Sequence, residues 1–164
     1  MHFETKVKLN LKQVTMSYTR TLYHIVLRPY RSESVIDEKY ETELYGYIWG
    51  FCKNKKATLI RVGGMPDHVH LLVALPATLA LAKFVQELKV STSKWLQTNP
   101  HFPKFVRWSK EYAGFTCSYW DRTTIANYIL RQKTHHQHVT FREEHREFLE
   151  RNGVVVDDCY FLTD

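Results

Sequence analysis

Nine residues, Asp67 to Leu75, constrain the fold of this chain more than any other segment. Four apolar residues occupy every second position of the segment: Val69, Leu71, Val73 and Leu75. Because successive side chains of a β-strand point to opposite faces, this period predicts a strand with His68 and His70 on one face. The reverse face is apolar throughout, so we expect it to pack against the protein core.

The histidine strand stands within a recognisable order of predicted elements. Strands are predicted over 17–27, 57–62, 67–75 and 112–119, and helices over 37–52 and 79–96. The segment Gly63–Asp67 predicts a tight turn that pairs the second strand with the histidine strand. The order β-α-β-β-α-β is typical of an α+β protein with a ferredoxin-like split βαβ sheet, which carries these two helices on one face. We expect His68 and His70 on the other, open face.

Further helices follow the predicted sheet. One is predicted over 121–133, and Thr140 and Glu143 have the spacing of a capping box for another over 141–151, which Gly153 ends. The apolar residues of 154–162 predict an extra strand or a cover over the core. No repeat or Pro/Gly-rich linker divides the 164 residues, so we expect one domain with a core of about 17–150 and a tail of 151–164.

Tyr128 and Gln132 lie four residues apart on the helix predicted over 121–133, and therefore share a helical face. Imidazole nitrogens suit Mn²⁺ and other transition ions, and an amide oxygen suits a hard cation such as Mg²⁺. We predict that His68, His70 and Gln132 bind the metal ion and that Tyr128 is the nucleophile of a metal-assisted phosphoryl transfer.

Structural roles for the same residues stay open. A histidine pair on a strand is more often structural or solvent-facing, and Tyr128 is one of ten tyrosines. His24, on the first strand, is interpreted as an outer neighbour of the metal site. The run of His135, His136 and His138 is interpreted as a solvated group at the end of a helix, where cations are favoured.

The positive charge of the chain is concentrated in one stretch. The net charge is +6, and residues 79–110 contain six basic residues against one acid, Glu87. A solvated helix face is one interpretation, and a polyanionic partner is the other. Because we expect this stretch beside a phosphoryl-transfer site, we favour DNA as the partner. The residues predicted to contact it are Lys83, Lys89, Lys94, Lys104 and Arg107.

Several classes of protein are excluded by what the sequence lacks. No apolar run approaches the length of about 20 residues that spans a bilayer, and Met1–Lys6 lacks the apolar segment of a secretory signal. Cys52, Cys117 and Cys159 are far apart and have no zinc-site spacing. We therefore expect reduced thiols in a cytoplasmic protein that does not bind membranes.

Three segments together resemble a known family: Tyr23–Leu27, Met65–Leu72 and Tyr128–Gln132. They are similar to segments of the HUH single-tyrosine transposases of bacterial insertion sequences and of the related REP-associated tyrosine transposases. The resemblance covers about residues 17–148. In it His68 and His70 match the metal ligands, Tyr128 matches the nucleophile, and Gln132 matches the helix-borne third ligand.

This resemblance implies a Mg²⁺ or Mn²⁺ cofactor and a single-stranded DNA substrate folded into a hairpin, cleaved and rejoined through a 5′-phosphotyrosine. It also implies a homodimer in which the tyrosine helix of one subunit completes the metal site of the other. Two alternatives stay open at this point. One is a nucleic-acid-binding module without catalysis, and the other is a metal-dependent nuclease that uses water.

Overall fold

The computed structural model describes residues 18–164. Residues 1–17 lie outside the described part. They include Met1–Lys6, where the sequence predicts no secretory signal, and the first residue of the strand predicted over 17–27. Within the described part, no helix combines the length and the apolar character needed to cross a membrane. Cys52, Cys117 and Cys159 are free thiols.

Four antiparallel strands form one sheet. They are β1 (Thr21–Leu27), β2 (Thr58–Met65), β3 (His68–Leu75) and β4 (Ala113–Cys117), in the order β2-β3-β1-β4. This is the ferredoxin-like order that the sequence predicts, and the α+β fold class is confirmed. In the register of the two central strands, His24 lies opposite Leu72 and Val26 lies opposite His70, so the histidine-bearing positions of β1 and β3 are neighbours.

The first face of the sheet carries α1 (Glu41–Asn54) and α2 (Leu81–Thr98). The apolar positions of β1 and β3 pack against these helices and form the main core, which includes Ile25, Leu27, Val69, Leu71, Val73, Leu44, Ile48, Phe84 and Leu88. Helix α1 begins four residues later than predicted. The reason is local, because the Asp37 side chain accepts a hydrogen bond from the Lys39 amide at 2.9 Å and forms a turn before the helix.

The second face is not open, and that expectation is wrong. It is covered by α3 (Arg122–Leu130), α4 (Gln132–His135) and α5 (Phe141–Arg151). His68 is 0% exposed, and the Phe141 ring stacks on its imidazole with 4.3 Å between centroids. Leu72 shares this face of β3 and packs against Ile129, so apolar side chains among the histidines draw the C-terminal helices onto the sheet.

A glycine in β2 sets how closely α3 approaches the sheet. Strand β2 runs through Gly63 and Gly64 to Met65, where the sequence predicts a turn, and only Pro66 and Asp67 connect it to β3. A Cβ atom at Gly63 would lie 2.8 Å from the carbonyl oxygen of Ile129. The missing side chain therefore allows α3 to rest on the strand, and this places Tyr128, the residue before Ile129, against the histidine face.

The C-terminal segments differ from the predictions in two places. The helix predicted over 121–133 is interrupted at Arg131, whose φ of −92° and ψ of 13° separate α3 from α4. Residues 154–162 form no strand, since 154–157 are irregular and 158–162 form turns, although Phe161 is buried and supplies part of the predicted cover. Helix α5 has the predicted bounds, and both hydrogen bonds of its capping box, between Thr140 and Glu143, are present.

Candidate active site

Three buried histidines lie side by side on the second face of the sheet. His24 Nε2 is 2.8 Å from His70 Nδ1, and His68 Nδ1 is 2.7 Å from Oδ1 of Asp67, the last residue of the turn between β2 and β3. Exposure of each imidazole is 6% or less. Each imidazole that comes from β3 is thus held through its Nδ1 atom.

These contacts determine which nitrogen of each ring is free. The ionised Asp67 carboxylate can only accept, so His68 donates from Nδ1, and in the neutral ring Nε2 then carries a lone pair. Burial, and after it the neighbouring His70, lowers the pKa of His24 to about 3. Burial also lowers the pKa of His70. With both rings neutral, His70 can donate from Nδ1 to His24, and its Nε2 lone pair then faces the space under the C-terminal helices.

Glu144, on α5, occupies that space and was not predicted from the sequence. Its carboxylate is 3% exposed and accepts hydrogen bonds through Oε1 from the Tyr128 hydroxyl and from Gln132 Nε2, the latter at 2.8 Å. Oε2 lies 2.7 Å from His136 Nε2. A sequence signal exists, because Glu144 stands three residues after Phe141 and four before Phe148, on the apolar side of its helix.

The free donor atoms converge. His68 Nε2, His70 Nε2 and the Glu144 carboxylate lie within 4.8 Å of one another. Gln132 Oε1 is 3.0 Å from His68 Nε2, so two lone-pair atoms face each other when His68 is the Nδ1–H tautomer. Among the described residues, His70 Nε2 is buried without a hydrogen-bond partner. Two imidazoles, a carboxylate and an amide oxygen fit one divalent cation.

The charge of Glu144 is well defined. Burial alone would raise its pKa, but the close imidazoles of His136 and His70 outweigh burial and hold the pKa of this carboxyl well below its usual range. The same carboxylate outweighs the effect of burial on His136, whose pKa is raised. The centre of the site is therefore a buried anion surrounded by imidazoles.

Tyr128 joins this cluster from the end of α3. Burial, together with the hydrogen bond to Glu144, raises the pKa of Tyr128 above the ordinary value for a phenol. The charged group in contact with the Tyr128 hydroxyl is thus an acid, and it favours the neutral phenol over the phenolate in the protein without metal. The ring lines a cleft of about 440 Å³ with His24 and Glu144, and a second cleft of about 610 Å³ with Arg131.

The structure brings together all four residues predicted for the chemistry. His68, His70, Tyr128 and Gln132 meet around Glu144, although Tyr128 and Gln132 belong to two short helices. His136 is also part of the cluster, contrary to the predicted solvated run, whereas His138 is exposed. Their catalytic and metal-binding roles stay predictions.

The residues predicted to bind DNA lie elsewhere. Lys83, Lys89 and Lys94 belong to α2, which packs on the opposite face of the sheet from Tyr128. Lys89 Nζ donates to three backbone carbonyl oxygens at 2.9–3.0 Å, those of Ser109, Lys110 and Glu111. Burial lowers the pKa of Lys89 to about 8.

Two further members of the predicted group follow α2. Lys104 is exposed, and the Arg107 guanidinium lies over the Tyr30 ring at 3.9 Å. Contacts from these five residues to phosphate stay predictions, and the structure does not place the α2 lysines beside the tyrosine.

Two solved structures of similar fold are those of transposases. A protein of Deinococcus radiodurans R1 assigned as a transposase is 22% identical with a TM-score of 0.55, and the alignment covers 74% of this chain and 98% of that one. A REP-associated tyrosine transposase bound to a REP hairpin is 13% identical with a TM-score of 0.57, over 79% of this chain and 76% of the other. A search of curated proteins finds no match.

The fold is thus that of transposases. More narrowly, residues 17–132 match the sequence model of the IS200-like transposases. Because the matched residues make up more than half of the chain, the protein belongs to the IS200-like transposase family. The resemblance inferred from the three sequence segments is confirmed.

Proposed function

We propose that this transposase cleaves and rejoins single-stranded DNA, with Tyr128 as the nucleophile and a divalent metal ion bound by His68, His70, Gln132 and Glu144. One observation carries the proposal. The Tyr128 hydroxyl contacts the same buried carboxylate that faces both imidazole Nε2 atoms, at 3.4 Å from each. Nucleophile and candidate metal ligands therefore share one centre.

The donor set supports the metal more strongly than the histidine pair alone. A buried polar atom without a partner is costly unless something binds it, and here His70 Nε2 is such an atom and lies beside His68 Nε2 and the Glu144 carboxylate. A divalent ion, Mg²⁺ or Mn²⁺, supplies Lewis-acid polarisation of the scissile phosphate when bound. His68 and His70 would hold this ion, and the contacts of Asp67 and His24 with their Nδ1 atoms orient the two rings.

The residues of the chain account for the proton balance of the first step. The Tyr128 Oη atom attacks phosphorus, and its proton passes to Oε1 of Glu144, with which it already forms a hydrogen bond. A bond forms between Oη and phosphorus, and the bond from phosphorus to the 3′ oxygen breaks. The departing oxygen takes the proton that Glu144 received and becomes a 3′-hydroxyl, while the 5′-phosphate stays on Tyr128. Attack by another 3′-hydroxyl reverses these changes.

The partners follow from family membership and from one neighbour. A REP-associated tyrosine transposase of similar fold is bound to a REP hairpin, which supports hairpin-forming single-stranded DNA as the substrate of this chain. We retain the homodimer and a cytoplasmic location as parts of the proposal. Because one chain brings Tyr128 to its own histidines, the dimer is not needed to complete this cluster, and its existence is a question for light scattering.

The decisive experiment is the covalent adduct. Purified protein is incubated with Mn²⁺ and end-labelled hairpin oligonucleotides from the DNA that flanks the gene. We expect a protein–DNA band that survives boiling in detergent, carried by the 5′ phosphate of the downstream strand, and an upstream product with a free 3′-hydroxyl. Tyr128→Phe should abolish the band, since the substitution removes only the attacking oxygen.

The matched control is Tyr160→Phe, a change of the same atom on a residue that is 69% exposed and outside the site. It should form the adduct as the wild type does. Cleavage by Tyr128→Phe at the wild-type rate would show that water is the nucleophile and would replace this proposal by a metal-dependent nuclease. If the wild type and Tyr128→Phe both bind the hairpin and neither cleaves it, the protein is a nucleic-acid-binding module without catalysis.

A further inference from the structure

A tryptophan next to the tyrosine helix is held in solvent. Trp120 is 83% exposed, whereas Trp108 is buried at 4%. The backbone at this position is fixed, because the Ser118 hydroxyl accepts a hydrogen bond from the Trp120 amide at 3.2 Å as β4 leads into α3. The large apolar ring is therefore presented outward by an ordered turn.

Two arginines flank the neighbouring aromatic ring. The guanidinium carbons of Arg20 and Arg122 lie 4.0 and 3.6 Å from the centroid of Tyr119, and Arg122 also donates to the Tyr119 carbonyl oxygen at 2.8 Å. Within residues 18–164, neither arginine forms an ion pair with a carboxylate. Asp121 is the one acid of 118–131, a stretch that also contains Arg131, so positive charge prevails here.

We call Arg20, Tyr119, Trp120 and Arg122 the Trp120 surface. It lies along the helix that carries the nucleophile, because α3 begins at Arg122 and Tyr128 follows six residues later, about 9 Å along the axis. Thr124 stands halfway between Trp120 and Tyr128, is exposed, and lines both clefts that open on the tyrosine. Residues 120, 124 and 128 are spaced four apart, so Thr124 joins the Trp120 surface to Tyr128 along the chain.

We propose that the Trp120 surface binds the unpaired bases of single-stranded DNA next to the scissile phosphate, with Trp120 as the stacking platform. This inference rests on the proposed function, since it assumes DNA cleaved at Tyr128. An exposed indole face stacks on a base that is not already stacked in a duplex, and guanidinium groups contact the backbone phosphates between bases. An aromatic ring and arginines without a carboxylate partner together match that ligand. An apolar protein surface would not pair with the positive charge of the guanidinium groups.

A second exposed tryptophan provides the matched control. Trp49 is 56% exposed on α1, the helix on the opposite face of the sheet from Tyr128, and Lys53 Nζ lies 5.2 Å from its ring. Trp49→Ala thus removes the same side chain beside a cation in a place where no cleavage site lies.

The test is equilibrium binding, measured by fluorescence anisotropy with short single-stranded oligonucleotides in EDTA. Trp120→Ala is expected to weaken binding by about 5- to 150-fold, the range for loss of one stacked base, and Trp49→Ala by less than about twofold. Arg122→Gln should reduce the salt slope of the affinity by about 0.7, the change for one lost phosphate contact. Trp120→Ala should leave that slope unchanged.

Two results would overturn the inference. Equal affinities of Trp120→Ala and Trp49→Ala would show that the indole does not stack on DNA. An equal loss of Trp120→Ala on duplex and single-stranded DNA would show that the surface does not select unpaired bases. Neither result depends on cleavage, because EDTA removes the metal. Failure of the proposed function would instead appear as a missing Tyr128 adduct in a protein that still binds DNA through Trp120.

Discussion

The two faces of the central strands are buried equally and built on different chemistry. Leu71 is 0% exposed on the first face, and His70, its neighbour in sequence, is 1% exposed on the second. Apolar side chains need only a matching shape, and α1 and α2 supply it. Imidazole rings under α3–α5 need a partner for every nitrogen, because an unpaired buried polar atom has lost its water.

The polar face meets that requirement only in part. The outer nitrogens of His68 and His70 are paired with Asp67 and His24, whereas His70 Nε2 has no hydrogen-bond partner among the described residues. This atom lies with His68 Nε2 and the Glu144 carboxylate, and all of them are within 4.8 Å of one another. Degree of burial therefore does not distinguish a core from a functional site in this protein, whereas the convergence of these donor atoms does.

The difference between the two faces is tested most strongly by removing one side chain from each face. His70→Ala deletes one of two imidazole ligands, so we expect the increase in Tm that Mn²⁺ gives the wild type to disappear. Leu71→Ala leaves a cavity in the first face and should lower the free energy of unfolding by about 2–5 kcal/mol, yet keep the increase in Tm with Mn²⁺. Thermal unfolding with Mn²⁺ or with EDTA measures both effects.

The two variants act as controls for each other. A protein in which Leu71→Ala loses the response to Mn²⁺ and His70→Ala retains it would contradict the assignment of the metal site to the second face. Loss in both variants would mean that the two faces are not independent.

A smaller effect is expected from the outer contact of His68. Asp67→Ala removes the acceptor that holds His68 Nδ1 at 2.7 Å, and loss of such a contact weakens metal binding by about 10- to 100-fold. Asp67→Asn retains an oxygen that can accept from Nδ1 and should restore most of the affinity. Calorimetric titration with Mn²⁺ measures the series, and equal affinities of Asp67→Ala and the wild type would refute the role of Asp67.

The smallest effect concerns pH. The pKa of His24 is lowered to about 3, chiefly by burial and then by the neighbouring His70, whereas an unfolded chain has a histidine pKa of about 6.5. Between pH 6.5 and 4 the unfolded state therefore binds one more proton at this residue. The free energy of unfolding should fall by about 1.4 kcal/mol for each unit of pH decrease because of His24.

The effect is measured by urea unfolding in EDTA at several pH values. His24→Phe removes the titrating group and should reduce the slope of stability against pH by that amount. Slopes that are the same in the variant and the wild type would mean that His24 accepts a proton as readily in the folded protein as in the unfolded one. The second face would then tolerate a buried charge at this position.

The short-range periodicity of the sequence predicted most of the fold. The alternation over 67–75 gave β3 and the shared face of His68 and His70, and the capping-box spacing gave the bounds of α5. Two glycines in β2 suggested a turn, because glycine in a sequence indicates either a turn or a close approach, and only the neighbouring Ile129 carbonyl shows which applies. The break at Arg131 has no such signal in the sequence.

The sequence predicted only part of the candidate site, for a related reason. His68, His70, Tyr128 and Gln132 follow from periods of two and four, which are short-range properties of the chain. Glu144 lies 76 residues from His68, and its place depends on how α5 docks against the sheet. Its position between Phe141 and Phe148 indicates burial, but the group that it meets there is a matter of tertiary structure.

The distance along the chain between the histidines and Glu144 has a consequence for biosynthesis. Glu144 is translated 74 residues after His70, which takes roughly 4–15 s at about 5–20 residues per second. During that interval a nascent chain has its imidazoles and no carboxylate between them. Residue 144 also lies beyond the family match, which ends at residue 132. A product of interrupted translation can therefore contain every residue of the family match and still lack the anion around which the cluster forms.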